Sequence, residues 1–461
     1  MLSPLPPYGH KQFQEPKPIK KRGDFVMNIQ LPNGASGFYP APTNHIVGDP
    51  TPMDQAVYIP SISPGYAKDV YEQNWKRSMP EGVGLGDLNF LDPDNKLFRI
   101  SHFMSSAGQA LDQTQPCIIR NRDRSQTMMI SDSGGYQIAG GHLVIQNSSD
   151  ILRILRWQEQ YSDWSMTLDV PTVYVGKPGF KYSTFRACLD QTVEYLNFYA
   201  TNRKLGATKF LNVLQGNNLG DADIWYNAVK HFPFEGWAFG GVLRNNFYHL
   251  CRRIIKMQQD GLIQNRDWIH VLGTNQLETA VGLTALQRAI NKYINPRLRI
   301  SYDTSSPFRM IGWHQAYSLV KFDGKKMTLS FEVCPDARAF VDSKIRFPWP
   351  SPLGDRMVMG DLCVKTGSNH HVYRDNQANH YLVNHNLASL CTAVAQANRI
   401  FDAEAILGKH TIAVPMARAI ASIDAVIKAG TLTELNRHQA VFNAVKTVFD
   451  DADPDIDRAE I

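Results

Sequence analysis

The sequence predicts an α/β protein whose core is a (β/α)8 TIM-type barrel, with an N-terminal extension, a β-rich insertion and a C-terminal helical part. Between residues 115 and 310, short apolar segments alternate with amphipathic helical segments, which is typical of a parallel sheet. Nearly every one of these strands ends in polar or glycine residues, at the edge where a barrel builds its active site. Neither a GxGxxG motif nor a P-loop motif follows any strand, which favours the barrel over an open nucleotide-binding sheet.

The elements of this core follow one another in strict alternation. The predicted strands are residues 127–131, 165–169, 210–215, 236–240, 268–273 and 299–303. The predicted helices are 150–161, 183–202, 221–231, 246–259 and 276–293, and a longer helix is predicted over 381–407. The first helix begins at the capping pair Ser149-Asp150. In the helix over 276–293, Leu283, Leu286 and Ile290 share one side, as expected for a helix packed on a sheet.

The rest of the chain is arranged around this core. Residues 1–30 are predicted to be a flexible basic tail, 31–95 an irregular extension, 96–320 the barrel with its active site, 321–380 an insertion, and 381–461 C-terminal helices. With 461 residues, of which 43% are hydrophobic, the chain can bury a substantial core.

Composition excludes several classes of protein and leaves others open. The six cysteines form no CxxC pair, which argues against a disulfide framework and against a CxxC-type zinc site. The net charge of +5 is compatible with a nucleic-acid partner but too small to establish one. The sequence contains no apolar run of spanning length and no secretory signal, so we expect no membrane association and a cytoplasmic location.

The most informative segment is residues 130–137, which read Ile-Ser-Asp-Ser-Gly-Gly-Tyr-Gln. Asp132 ends an apolar strand, where a carboxylate can act as an acid, a base or a hydrogen-bond acceptor. Gly134 and Gly135 carry no side chain, so a planar ligand can approach the backbone closely. A strand-end turn would use the same residue types, and the segment taken alone favours that reading.

Four later strand ends favour a functional site over a simple turn, because they add Asp169, Gln215, the Gly240-Gly241 pair and Asp303. Asp and Gln side chains beside a glycine backbone are suited to reading the hydrogen-bonding edge of a purine-like base. Two carboxylates facing a sugar carbon suit displacement at an anomeric centre, one as nucleophile and the other as proton shuttle. Each residue has a structural explanation by itself, but the joint arrangement predicts a site.

Six segments in this region resemble the motifs of the tRNA-guanine transglycosylase superfamily, which exchanges guanine in a polynucleotide for a 7-deazaguanine base. The segments are 131–137, 166–169, 213–216, 239–242, 270–273 and 300–303, and their order and rough spacing agree with that family. The resemblance covers residues 115 to 310. The first motif is specific, and the others gain weight from their order.

The resemblance implies a double displacement that requires no cofactor. Asp303 would attack C1′ of the target nucleotide, and Asp132 would move protons on the departing and incoming bases. The residues that would bind the base are Ser133, Gly134, Gly135, Tyr136, Asp169, Gln215, Gly240, Gly241 and Val242, with Tyr136 stacking on its face. Arg244 and Arg309 follow two of the strand ends and are the candidates for contact with nucleic acid. The clusters 252–256 and 292–299 are weaker candidates, since charges on outer helices usually face water.

The chain also departs from the tRNA enzymes. They carry Leu-Pro-Thr-Arg after the nucleophile, where this chain has Thr-Ser-Ser-Pro-Phe-Arg over 304–309. Their structural zinc is held by a CxCxxC element and a later histidine, of which Cys363 and His385 remain. Whether zinc binds is left open: Asp361, His370, His371 or His380 would have to complete the ligands.

These departures, the long segment before the first motif and the extended C-terminal part resemble the DNA-modifying branch, the DNA 7-deazaguanine transglycosylases of bacteria and their phages. The expected partners are DNA and a 7-deazaguanine base. The alternatives are the same chemistry on tRNA, a non-catalytic nucleic-acid-binding subunit, and an unrelated barrel enzyme. Retention of both Asp132 and Asp303 argues against the non-catalytic subunit. Helper proteins and the oligomeric state are left open.

Overall fold

The computed structural model describes residues 26–30, 36–40, 53–244, 246–274, 276–322, 327–365, 373–408 and 413–445. The strands are β1 (Val26–Gln30), β2 (Ser36–Pro40), β3 (Val57–Pro60), β4 (His102–Ser106), β5 (Met128–Asp132), β6 (Trp164–Met166), β7 (Lys209–Leu214), β8 (Gly236–Phe239), β9 (Trp268–Val271), β10 (Arg299–Thr304), β11 (Gln315–Phe322) and β12 (Met327–Val333). The helices are α1 (Pro64–Glu72), α2 (Ala107–Ala110), α3 (Gly135–Ala139), α4 (Ser148–Tyr161), α5 (Phe185–Asn202), α6 (Leu219–Val229), α7 (Phe247–Gln259), α8 (Leu277–Tyr293), α9 (Ser306–Arg309), α10 (Met359–Leu362), α11 (Asn376–Leu407), α12 (Val414–Ala429), α13 (Leu432–Arg437) and α14 (Gln439–Ala444).

Strands β3 to β10 form a nearly closed parallel barrel, which confirms the predicted fold class. Their order is β3-β10-β9-β8-β7-β6-β5-β4, and every neighbouring pair is parallel. Between β4 and β3 the ring is bridged just past the strand end, where Ser61 pairs with Met104 and the Ile62 N–H donates to the Met104 carbonyl at 2.9 Å. Parallel strands with helices between them leave all eight carboxyl ends at one end of the barrel.

The six predicted strands all occur in the barrel, with ends displaced by a few residues. The five predicted helices between them correspond to α4, α5, α6, α7 and α8, and the later long helix is α11. Helix α4 begins two residues before its predicted start, because Asn147 caps it and Asp150 completes the capping box.

Two barrel strands, β3 and β4, were not predicted, and β3 lies inside the segment 31–95 that was expected to be irregular. The barrel therefore begins well before residue 96. Strand β3 has only four residues and ends in proline, and β4 reads His-Phe-Met-Ser-Ser, so neither shows clear alternation of apolar and polar residues. The predicted tail also contains β1, which pairs with β2 and β11, while residues 1–25 lie outside the described part of the chain.

The interior of the barrel contains a compact apolar layer that supports the site above it. Its members are Val57, Ile59, Met104, Ile130, Trp164, Met166, Leu211, Val213, Ala238 and Trp268. Because side chains alternate along a strand, the residue two positions after an inward one also points inward. Asp132 thus follows Ile130, Gln215 follows Val213, and both emerge at the carboxyl end of the barrel.

The C-terminal helices pack on one side of the barrel. Helices α11 and α12 contact α8, and α11 also contacts β11 of the small sheet β12-β11-β1-β2. Across the described residues, no helix combines the length and the apolar character needed to cross a bilayer.

Candidate active site

Asp303 lies on β10 with its carboxylate held by two donors. The Nε2 atom of His270 lies 3.1 Å from Oδ1, and the backbone N–H of Gly273 donates to the same oxygen at 2.7 Å. The residue is 9% exposed, so little water competes for these contacts. The residue predicted to be the nucleophile is therefore fixed in one orientation at the carboxyl end of the barrel.

His270 also belongs to this site, although the sequence motifs assigned it no role. Its Nδ1 atom lies 2.8 Å from the Ser301 hydroxyl, which also receives the Nε1–H of Trp268 at 2.7 Å. The register of β9 and β10 places Ser301 beside His270. The signal was present in the sequence: positions 268 and 270 on one strand and 301 and 303 on the next share the inward face.

Asp132 ends β5 and lies near Asp303. Its Oδ2 atom accepts a weak hydrogen bond from the Gly134 N–H at 3.3 Å. Burial raises the pKa of the Asp132 carboxyl, a hydrogen bond from Ser106 opposes this, and the negative charge of Asp303 adds to the rise. The two carboxylates predicted to be catalytic are therefore close enough for their charges to interact.

Asp169 and Gln215 form a buried pair beside Asp132. Gln215 donates from Nε2 to Oδ2 of Asp169 at 2.8 Å, and the two side chains are 6% and 5% exposed. Burial raises the pKa of Asp169 to about 7, despite the hydrogen bond from Gln215, and the charge of Asp132 contributes to the rise. Near neutral pH this carboxyl can therefore either donate or accept a hydrogen bond.

Two glycines make room for this pair. A Cβ atom at Gly240 would lie 3.1 Å from Nε2 and 3.2 Å from Oε1 of Gln215. A Cβ atom at Gly135 would lie 3.0 Å from the carbonyl oxygen of Asp169 and 3.2 Å from its Oδ1. These contacts are tighter than side chains normally make, so both positions require glycine for the pair to keep its place.

The remaining predicted base-binding residues differ in what they offer a ligand. Ser133 is fully buried, and among the described residues its hydroxyl has no hydrogen-bond partner. The N–H groups of Gly240 and Val242 donate to the carbonyls of Leu214 and Gly216, at 2.9 and 2.8 Å. These two N–H groups therefore hold the loop together, and a ligand would meet other atoms of residues 240–242.

Tyr136 lies at the rim, where its side chain is 41% exposed. Its ring packs edge-to-face against Tyr174, with the ring centres 5.8 Å apart, and Tyr174 in turn contacts Phe180. The loop 171–184 that carries Tyr174 and Phe180 also presents two exposed lysines, Lys177 and Lys181. This rim is both aromatic and basic.

The two arginines predicted to contact nucleic acid both follow carboxyl ends of barrel strands. Arg244 ends the 3-10 turn Gly241–Arg244 and donates from Nη1 to the Leu272 carbonyl at 3.2 Å, so part of its guanidinium braces the loop after β9. Arg309 ends α9, and within the described part of the chain its buried Nε and Nη2 atoms have no partner.

Of the other basic candidates, the cluster 252–256 lies on the outer helix α7 and is engaged with an acidic residue. Arg252, Arg253 and Lys256 all contact Asp223 at 2.6 Å. Burial would raise the pKa of Asp223, but its hydrogen bonds from Arg252 and Lys256 and the charge of Arg253 outweigh burial and lower it. This cluster joins α6 to α7 and serves the fold.

The residues left from the zinc element do not fit a zinc ion. His385 is fully buried and uses both ring nitrogens, Nδ1 with the Ser351 hydroxyl at 2.9 Å and Nε2 with the Tyr317 carbonyl at 2.8 Å. Burial lowers the pKa of His385 to about 4. Cys363 donates to the Pro335 carbonyl instead. No three metal-ligating side chains converge anywhere in the described ranges, and the candidates His370 and His371 lie outside them.

No protein-family model matches this chain, and no curated protein matches its sequence. A functional proposal therefore depends on the barrel and on the geometry of the residues at its carboxyl end.

Proposed function

We propose that the protein is a base-exchange transglycosylase that replaces guanine in DNA with a 7-deazaguanine derivative. The observation that carries the proposal is the grouping of Asp132, Asp169 and Asp303 at one end of the barrel, each in a different environment. The carboxylate of Asp303 is contacted by His270 and by the Gly273 N–H, the pKa of the Asp132 carboxyl is raised by burial, and Asp169 is paired with an amide. Three carboxylates with distinct surroundings can divide the roles of nucleophile, proton shuttle and base reader.

In the first displacement, an oxygen of Asp303 forms a bond to C1′ of the target nucleotide. The C1′–N9 bond breaks, and its electron pair leaves with guanine, which takes up a proton. The result is a glycosyl ester on Asp303. In the second displacement, the nitrogen of the incoming deazaguanine attacks C1′, loses its proton, and releases Asp303 as a carboxylate.

Asp132 suits the proton transfers that these two steps require. Burial raises the pKa of its carboxyl, which strengthens it as a proton acceptor, and its proximity to Asp303 places it beside the same sugar carbon. It would give a proton to the departing base and take one from the incoming base, so the site ends each cycle as it began.

The base would lie between Tyr136 and the Asp169–Gln215 pair. The ionised carboxylate of Asp169 can accept from the N–H groups of guanine, the Gln215 amide can both donate and accept, and the buried Ser133 hydroxyl can add a third contact. The exposed ring of Tyr136 can stack on the face of a base that has left its helix.

The aromatic and basic rim supports a polynucleotide as the carrier of that base. Lys177 and Lys181 are exposed, and their ammonium groups lie 5.0 and 5.3 Å from the ring centres of Tyr174 and Tyr182. Alternating rings and cations are suited to bases and phosphates of a locally unpaired strand. The preference for DNA over tRNA rests on the departures in residues 304–309 and in the zinc element.

The decisive experiment measures exchange into each polymer. The protein is incubated with radiolabelled guanine and either duplex DNA or tRNA, and label in the polymer is counted. Label in DNA supports the proposal. Label only in tRNA would show that tRNA is the substrate and would contradict the assignment to DNA. Label in neither polymer would refute base exchange.

Asp303→Asn tests the nucleophile. It keeps the shape of the side chain but removes the charge, so exchange should fall by at least about a thousandfold. The wild-type protein should form a nucleic-acid adduct that survives denaturing electrophoresis, and the variant should not. Asp94→Asn, on an exposed turn, is the matched control. Unchanged exchange in Asp303→Asn would contradict the mechanism.

Replacing both rim lysines with alanine tests the rim. Lys177→Ala with Lys181→Ala should weaken binding of single-stranded DNA and reduce the slope of log affinity against log salt by about 1–2. The double variant Lys96→Ala with Lys428→Ala removes two exposed lysines elsewhere and should behave like the wild type. Equal slopes for the two double variants would remove the rim from the proposal.

A further inference from the structure

We propose that His270 is a positioning residue that selects which oxygen of Asp303 reacts. Ser301 and Trp268 hold His270 as the Nε2–H tautomer, and this N–H together with that of Gly273 binds Oδ1 of Asp303. The other oxygen, Oδ2, is thereby the attacking atom. The consequence for the reaction rests on the proposed transglycosylase function, whereas the protonation of His270 can be tested without it.

The direction of the hydrogen bonds follows from Trp268. An indole N–H can only donate, so the Ser301 oxygen accepts it at 2.7 Å. The hydroxyl proton of Ser301 then points to its remaining neighbour, Nδ1 of His270, at 2.8 Å. With Nδ1 acting as an acceptor, the single proton of a neutral imidazole lies on Nε2.

The same assignment follows independently from Asp303. The backbone N–H of Gly273 donates to Oδ1 of Asp303, so this oxygen acts as an acceptor, and the 3.1 Å contact from His270 to it requires a proton on Nε2. The four groups therefore form one chain in which each donates to the next, from Trp268 through Ser301 and His270 to Asp303. Ser301 and His270 are fully buried, so water does not compete for these bonds.

Both donors to Asp303 reach the same oxygen, and this has a chemical consequence. His270 and Gly273 occupy Oδ1, and within the described residues no protein donor contacts Oδ2. Two hydrogen bonds on one oxygen restrain rotation of the carboxylate, and they leave the lone pairs of the other oxygen available to attack.

Substitutions that keep or remove the donor test the role. His270→Gln places an amide N–H near the position of Nε2, whereas His270→Phe fills the space without a donor. We expect kcat to fall about 10- to 100-fold in His270→Phe, with KM for nucleic acid and base unchanged within about twofold. His270→Gln should recover most of kcat. A kcat in His270→Phe within about twofold of the wild type would overturn the proposal, and so would an equal loss in both variants.

The tautomer is measured by nitrogen NMR on protein labelled with ¹⁵N-histidine, with the His270 signals assigned by their absence in His270→Gln. A proton on Nε2 and none on Nδ1 is the expected result, and a proton on Nδ1 would overturn the inference. This measurement also separates the two proposals. If the wild-type protein shows no exchange, the proposed function is wrong, but the NMR measurement of the His270 tautomer still tests the proposed hydrogen-bond chain.

If His270→Phe does not fold, Ser301→Ala provides a second test. It removes the hydroxyl that orients the ring and leaves His270 in place. We expect the Nδ1–H form of His270 to appear in its spectrum and kcat to fall with KM unchanged. An unaltered spectrum would show that Ser301 does not set the tautomer, and would overturn the proposed chain.

Discussion

Replacing Asp169 with asparagine should change how the stability of this protein depends on pH. The Asp169 carboxyl is 5% exposed, accepts a hydrogen bond from Gln215, and has its pKa raised to about 7 by burial. Asparagine has nearly the same shape, can accept the same hydrogen bond, and does not titrate. The variant therefore isolates the effect of a single proton.

The sign follows from which state holds that proton more tightly. In the unfolded chain the carboxyl has its ordinary pKa of 3.8, so between that value and about 7 the folded protein retains a proton that the unfolded chain has released. The contribution of this proton to the free energy of unfolding is fully present below pH 3.8 and is lost as the pH rises to about 7. A difference of about 3 pH units, at about 1.4 kcal/mol each, corresponds to a loss of about 4 kcal/mol.

Urea unfolding of the wild type and of Asp169→Asn at a series of pH values measures this loss. The difference in free energy of unfolding, wild type minus variant, should fall by about 4 kcal/mol between about pH 4 and about pH 8 and then become constant. Asp94→Asn, on an exposed turn, should follow the wild type at every pH. If the difference in free energy of unfolding between the wild type and Asp169→Asn stays constant within about 1 kcal/mol over this pH range, the pKa of Asp169 is not raised and the reasoning is refuted.

Two further outcomes follow from the structure. Gly240→Ala should displace the Gln215 amide, because the new Cβ would lie 3.1 and 3.2 Å from its atoms. Guanine affinity, measured by equilibrium dialysis, should then fall at least about tenfold. The control variant Gly65→Ala, which has open space around the new Cβ, should bind guanine like the wild type. Affinity equal to that of the wild type in Gly240→Ala would contradict the role given to Gln215. Asp223→Ala should lower the free energy of unfolding by about 3–5 kcal/mol, because it leaves the buried charge of Arg253 without its partner. If urea unfolding shows a loss below about 1 kcal/mol, other groups compensate the charge of Arg253 and the prediction is wrong.

The strands that the sequence predicted and those that it missed differ in a physical way. Strands such as β7 and β10 are long enough for an apolar core, a regular alternation and a polar end, and each was predicted within about two residues. Strand β3 has four residues and lies among many Pro, Gly and Asn residues, so its pairing with β10 compensates for a weak local preference. Such pairing depends on partners more than two hundred residues away, which no local pattern contains.

Within the candidate site, the residue types were predictable and their environments were not. The placement of Asp132, Asp169, Gln215 and Asp303 at strand ends follows from the alternation of parallel strands and helices, and the resemblance supplied their proposed roles. That Asp169 is buried enough for its pKa to rise to about 7 depends on how α3 and the β8 loop pack around it. The engagement of Arg252 and Lys256 with Asp223 likewise depends on α6 lying beside α7.

The sequence by itself determined the barrel and the end of it at which chemistry can occur, because strand periodicity and strand-end polarity are local properties of the chain. Only the tertiary structure decided how the carboxylates differ from one another. Their protonation and orientation depend on desolvation and on donors brought from other strands, as His270 and Gly273 are brought to Asp303. Electrostatic energies of this kind are set by distances between segments remote in sequence, and those distances exist only once the barrel has closed.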